Sequence, residues 1–242
     1  MNPHISVAHN ILNKIRKIYG VQHVYKKIDI QKYTHLSISF YSKCERELNE
    51  LNFVTLLNIE DVTVSSSSPD PRSFLRIMSN ETSRNTAAIY HVKPKFPWPI
   101  IMFLMRTPAK VYEFQTIFSD DAVIETTIVP STILNSYPTK IIKQSAPKKS
   151  IKQLLAVHER SVEDYLANHP GVNTVYIDSL EKFIEHDKKT FEMTKSHLEE
   201  IGWVTKAYLY KQVGKNKQLA DRIYDEIQNI LNKEKPVNSI EN

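Results

Sequence analysis

The chain has 242 residues, 41% hydrophobic and 24% charged, proportions that exclude a disordered or fibrous protein and leave ample material for a core. Its four glycines, Gly20, Gly171, Gly202 and Gly214, exclude a glycine-rich phosphate loop, a dinucleotide fingerprint and a nucleophile elbow, and the single Cys44 excludes an internal disulfide and cysteine-built metal sites. The net charge of +5 is uneven: residues 1–43 hold seven Lys/Arg and one acid, and Thr139–Gln153 holds five lysines and no acid.

In chain order, Ala8, Ile11, Leu12, Ile15, Ile18 and Tyr19 recur at helical spacing ahead of Gly20, which predicts an amphipathic helix. This segment is acid-free as far as Asp29, as an organellar presequence is, but no cleavage signal follows and an ordinary helix is expected. Alternation of Leu36, Ile38 and Phe40 with Ser37 and Ser39 predicts a strand over Thr34–Tyr41. Ser42 and Glu45 then form a capping-box pattern for a short helix carrying Cys44, Leu48 and Leu51. Phe53–Leu57 and Val62–Val64 read as strands, Ser65–Pro69 as a loop, and Asp70 as the cap of a helix containing Phe74, Leu75, Ile77 and Met78.

Four successive strands are predicted at Thr86–Val92, Ile100–Met105, Val111–Phe118 and Ala122–Val129, joined by short turns, which implies an antiparallel meander with Trp98, Phe103, Phe114 and Phe118 in its core. Beyond a proline-bearing connector, Ser150 opens a helix whose stripe includes Leu154, Leu155, His158 and Val162. Val172–Ile177 reads as a strand, Asp178 and Glu181 as a capping box for a long helix to Gly202, and Leu219–Leu231 as a final helix. The expected fold is therefore α+β: an antiparallel β-meander sheet with packed helices over residues 1–135, a basic connector at 136–150, a mostly helical C-terminal part at 151–233 on the same core, and a frayed tail at 234–242. No run approaches the roughly 18 apolar residues of a membrane span, and one cysteine suits a reducing compartment, so a soluble cytoplasmic protein is expected.

Candidate chemistry is sparse. Lys26, Lys27, Lys140, Lys143, Lys148, Lys149 and Lys152 are the candidate contacts to an anion or nucleic acid, with Lys32, Tyr25, Tyr33 and Tyr41 near the first pair. His158 on an apolar stripe is a buried histidine, either hydrogen-bonded in the core or a general base. His197 and Glu200, three apart, share a helix face as an exposed polar pair, and Asp120, Asp121 and Glu125 read as solvated turn residues. Pro69-Asp70 and Glu113-Phe114-Gln115 resemble the PD-(D/E)xK pattern of nucleases, with Gln115 in place of the lysine; the resemblance implies Mg²⁺ between Asp70 and Glu113. Leu198–Trp203 resembles the recognition helix and wing entry of winged-helix proteins. The leading expectation is a non-catalytic binding or protein-interaction module with a protein partner, no metal and no cofactor. A nucleic-acid-binding protein using the basic segments is the alternative, and a hydrolase using His158 or Asp70 and Glu113 a further one.

Overall fold

Ala8, Leu12 and Ile15 fall on one face of a helix, α1 (Pro3–Tyr19), and are buried there. The structure, a computed structural model, describes residues 3–67, 72–93, 108–130 and 136–234. After α1 come strand β1 (Tyr25–Lys27), a 3₁₀ turn at Ile30–Tyr33, helix α2 (Ile38–Asn49), β2 (Val54–Asp61), α3 (Val62–Ser67), β3 (Leu75–Ser79), β4 (Thr86–His91), β5 (Lys110–Phe118), β6 (Val123–Thr127) and β7 (Ile141–Ser145). The remainder is α4 (Ile151–Asn168), β8 (Thr174–Val175), α5 (Leu180–Glu200), α6 (Lys206–Gln212) and α7 (Lys217–Glu234). The fold is α+β, as expected: an eight-stranded sheet in meander order β1 to β7, followed by helices.

All strand pairs are antiparallel except β6 with β7, and β8 pairs with the last residues of β5 through Ile117↔Val175 and Phe118↔Thr174. Strand periodicity of two gives the sheet two unlike faces. The first carries Phe74, Met78, Ala87, Ile89 and Phe114 against Tyr41, Cys44 and Leu48 of α2 and Leu154 and Leu155 of α4. Tyr41 stacks on Phe74 with ring centroids 4.2 Å apart, and its hydroxyl donates to the Phe74 carbonyl at 2.9 Å. The second face is divided. Leu57, Ile59, Ile77, Ile117 and Val123 meet Leu180 and Phe183 of α5. The rows beside them hold Tyr90, Glu113, Gln115, Glu125, Thr127 and Lys143.

The residues divide into two compact units. The larger comprises Gln22–Ile133 and Pro138–Glu192 and contains the whole sheet with α2, α3 and α4. The smaller comprises Met1–Val21, Leu134–Tyr137 and Met193–Asn242, and its core joins Ala8, Leu12 and Ile15 of α1 to Leu198, Trp203, Leu209, Ala220, Ile223 and Ile227. Arg16 closes that unit's edge, pairing with Glu234 at 2.7 Å and lying over the Trp203 ring at 5.4 Å.

Several local expectations are corrected. The strand expected at Thr34–Tyr41 gives way to the 3₁₀ turn and the start of α2, because Tyr41, Cys44 and Leu48 bury a helical stripe that reaches back to Ser37, and Ser42 lies inside the helix. Val62–Val64 is the first turn of α3 rather than a strand. Leu75–Met78 belongs to strand β3, with Phe74 just before it, and not to a helix, since both sides of the run are covered by protein. The connector contains β7, which docks in parallel on β6. At the long helix the cap is Ser179, whose hydroxyl accepts from the Lys182 amide at 3.2 Å, while Asp178 pairs with the Lys182 ammonium at 2.6 Å. Asp70, Trp98, Phe103 and Ile100–Met105 lie outside the described residues.

Candidate functional site

The polar half of the second sheet face is assembled by register. Glu113 stands opposite Ala88 and Thr127, and Glu125 stands opposite Gln115 and Lys143, so three adjacent strands bring two carboxylates, an amide and an ammonium together. Lys143 Nζ lies 2.5 Å from Glu125 Oε2, and Gln115 Nε2 donates to Glu125 Oε1 at 3.3 Å. The Tyr90 hydroxyl donates to Glu113 Oε2 at 3.4 Å, and Thr127 also bonds to Glu113. Burial first and the neighbouring Glu125 second hold the Glu113 carboxyl well above its ordinary range, against the opposing pull of Lys143. Burial and the same two carboxylates raise the Tyr90 phenol. The Glu125 and Lys143 side chains keep 17% and 22% of their surface in solvent.

The site's polarity extends toward α5. Asp187 is raised by burial and bonded to the Tyr25 hydroxyl, whose own ionisation is pushed up by burial and by Asp187. Nearby, His23 Nδ1 sits 2.6 Å from Asp61 Oδ2. A carboxyl tending to neutrality can donate or accept a hydrogen bond, and the Glu125–Lys143 pair offers one charge of each sign. Among the described residues, no three His, Cys, Asp or Glu side chains stand together as a metal site would require.

His158 is a core residue, fully buried between Thr116 and Thr126 of the sheet. Thr116 Oγ1 donates to Asn85 Oδ1 at 2.6 Å, so its oxygen accepts from His158 Nε2–H at 2.8 Å. Nδ1 is then the acceptor of the Thr126 hydroxyl at 2.9 Å. With both ring nitrogens satisfied and solvent excluded, burial pushes the imidazole down to about 3. A second buried group, Glu60, is 1% exposed and bound by Arg72 and by the Tyr33 hydroxyl at 2.8 Å. The Arg72 hydrogen bond holds its carboxyl down at about 2.

The basic candidates separate. Lys26 and Lys27 lie on β1 at one edge of the sheet, and Lys140 and Lys143 lie at β7, the opposite edge, about 29 Å across six strand spacings. Lys143 belongs to the polar face, and Lys140 Nζ donates to the Asp120 carbonyl at 2.6 Å. Lys148 occupies a left-handed turn position at φ 65°, and the Lys149 carbonyl accepts from the Tyr112 hydroxyl. Lys152, in the first turn of α4, lines a surface pocket of about 400 Å³ with Glu50, Asn80, Ser83 and Glu159. His197, in the last turn of α5 with Glu200, bonds to Ser136 through Nε2 at 2.9 Å. Sequence reasoning singled out Glu113 and Lys143 but assigned them to different readings. Their meeting depends on the parallel β6–β7 pairing, which no local pattern encodes. No protein-family model, curated protein or solved structure matches this chain.

Proposed function

We propose that the chain is a non-catalytic binding protein whose ligand, a small polar molecule, seats on the second sheet face at Glu113, Glu125 and Lys143. The observation that carries this reading is Glu113: a half-buried carboxyl beside a second carboxylate, in a row of polar groups where the neighbouring rows are apolar. An apolar stripe would pack more favourably on such a face, so the polar row is the part of the sheet that packing alone does not account for. Binding fits better than catalysis because the charges are balanced at rest. Glu125 is paired with Lys143 and burial raises the Glu113 carboxyl toward neutrality, so a ligand would exchange hydrogen bonds with groups already paired.

The test is a thermal-shift screen of the intact protein against small polar metabolites, repeated with Glu113→Gln and Lys143→Met. A dose-dependent rise in Tm for the wild type that weakens at least tenfold in apparent affinity in both variants is expected. No stabilising compound, or stabilisation indifferent to both substitutions, overturns the reading.

A further inference from the structure

We propose that the smaller unit docks on duplex DNA through α6, the turn after it and the first turns of α7. Helix α6 (Lys206–Gln212) and α7 (Lys217–Glu234) are joined by four residues, Val213–Asn216, in which Gly214 and Lys215 take left-handed φ of 64° and 66°. Leu209 of α6 and Ala220, Ile223 and Ile227 of α7 are buried together with Leu198 and Trp203, so the two helices are fixed as a pair on a third. Two helices joined by a four-residue, glycine-bearing turn and packed on a third are the connectivity of a helix-turn-helix, whose second helix lies in the major groove.

The charge around the turn agrees with that partner, while α7 beyond its first turn carries Asp221, Asp225 and Glu226 beside Arg222. Between Glu200 and Asp221 there are four lysines and no acid. Lys206 holds Asp221 at 3.6 Å and covers the Tyr224 ring at 5.1 Å, while Lys211, Lys215 and Lys217 are exposed around the turn. The outer stripe of α7, opposite its buried face, presents Gln218, Arg222, Asp225 and Asn229. Gln, Asn and Arg are the side chains that pair with adenine and guanine edges, and Asp accepts from cytosine. The resemblance noted at Leu198–Trp203 is a different register: those residues span the end of α5 and the turn after it, with Leu198 and Trp203 packed inside the unit.

Fluorescence anisotropy of the full-length chain with a labelled mixed-sequence duplex of about 24 base pairs, titrated between about 50 and 200 mM salt, tests this. The expected result is salt-dependent binding that falls at least tenfold in Lys211→Glu/Lys217→Glu, with the salt slope flattened by about 2. Both lysines are exposed; an acid at the start of α7 favours that helix and one in the last turn of α6 disfavours that helix by roughly 0.3–1 kcal/mol, so the two effects offset and unchanged circular dichroism is expected beside the loss. Reversal of Lys148 and Lys149, in the sheet unit, should leave affinity within about twofold. Absence of binding at the lowest salt, equal binding by the Lys211/Lys217 variant, or preferential binding of single-stranded RNA or of an acidic peptide overturns the proposal.

Discussion

His158 and Glu113 are displaced in ways that oppose one another, which predicts an unusual pH profile. The His158 imidazole sits at about 3 in the folded chain against an ordinary 6.5, so the unfolded chain binds the extra proton. Its contribution is complete above pH 6.5 and is lost at about 1.4 kcal/mol per pH unit as pH falls toward 3. Glu113 is raised above 4.5, so here the folded chain binds the proton; its contribution is complete below pH 4.5 and declines as pH rises. Between 4.5 and 6.5 the slopes cancel in part, and Glu113→Gln should steepen the acid loss in chemical denaturation while His158→Leu should flatten it. A steeper profile in the histidine variant would contradict the buried neutral ring. Glu60, held at about 2 by Arg72, adds stability above pH 4.5 that is lost as pH falls to 2. Arg72 is largely exposed, which screens the attraction, so Arg72→Leu should cost about 2 kcal/mol, mostly from leaving buried Glu60 short of donors. His158 was legible as buried because its helical stripe places it among leucines. Its partners were not, because Thr116 and Thr126 reach it only through the sheet's register.

Among elements, the start of α4 is a place where local sequence and structure agree, whereas the boxes expected at Ser42 and Asp178 do not form. Ser150 accepts from the Gln153 amide at 3.3 Å while Gln153 Oε1 accepts from the Ser150 amide at 3.1 Å, the reciprocal pair of a capping box. Ser150→Ala should lower stability by about 1 kcal/mol in denaturant unfolding. Gly202, at φ 74° after α5, is required twice: a Cβ would carry left-handed strain and would lie 2.8 Å from Gln228 Nε2. Gly202→Ala should therefore cost about 2 kcal/mol, whereas Gly171→Ala, strained in φ alone with open space around it, should cost about 1 kcal/mol. Short apolar runs were the illegible elements. Leu36, Ile38 and Phe40 alternate as a strand does, yet Tyr41, Cys44 and Leu48 continue them as a helix. Phe74–Met78 is apolar but for Arg76, which suits a buried strand and a buried helix equally until its neighbours are known. Strand β7 was missed for a related reason: Ile141–Ser145 sits among lysines and prolines, and its ladder is formed with a non-adjacent stretch of chain.

At the scale of the molecule, the chain's ends belong to one another: α1 packs on α7, and Ala8, Leu12 and Ile15 cover a stripe running through Ala220, Ile223 and Ile227. Neither helix could reveal this from sequence, because each shows an amphipathic face and nothing states which face it meets. The separation of the smaller unit's core from the sheet's core predicts the outcome of removing residues 1–21. Truncation strips the apolar cover from α7, abolishes the Arg16–Glu234 pair and removes the cation over Trp203. Ile223 and Ile227 so exposed each forgo roughly 1.5–3 kcal/mol, and the two losses together are comparable with what a helical unit of this size retains. Hydrogen exchange on the truncated chain should therefore show amides of residues 193–234 losing protection while those of β3, β4 and β5 keep it, because their ladders and the Phe74–Phe114 core lie wholly in the other unit. Equal loss of protection in the strands would mean that the two cores fold as one cooperative block; unchanged protection in α7 would mean that α1 contributes little to the smaller unit's core.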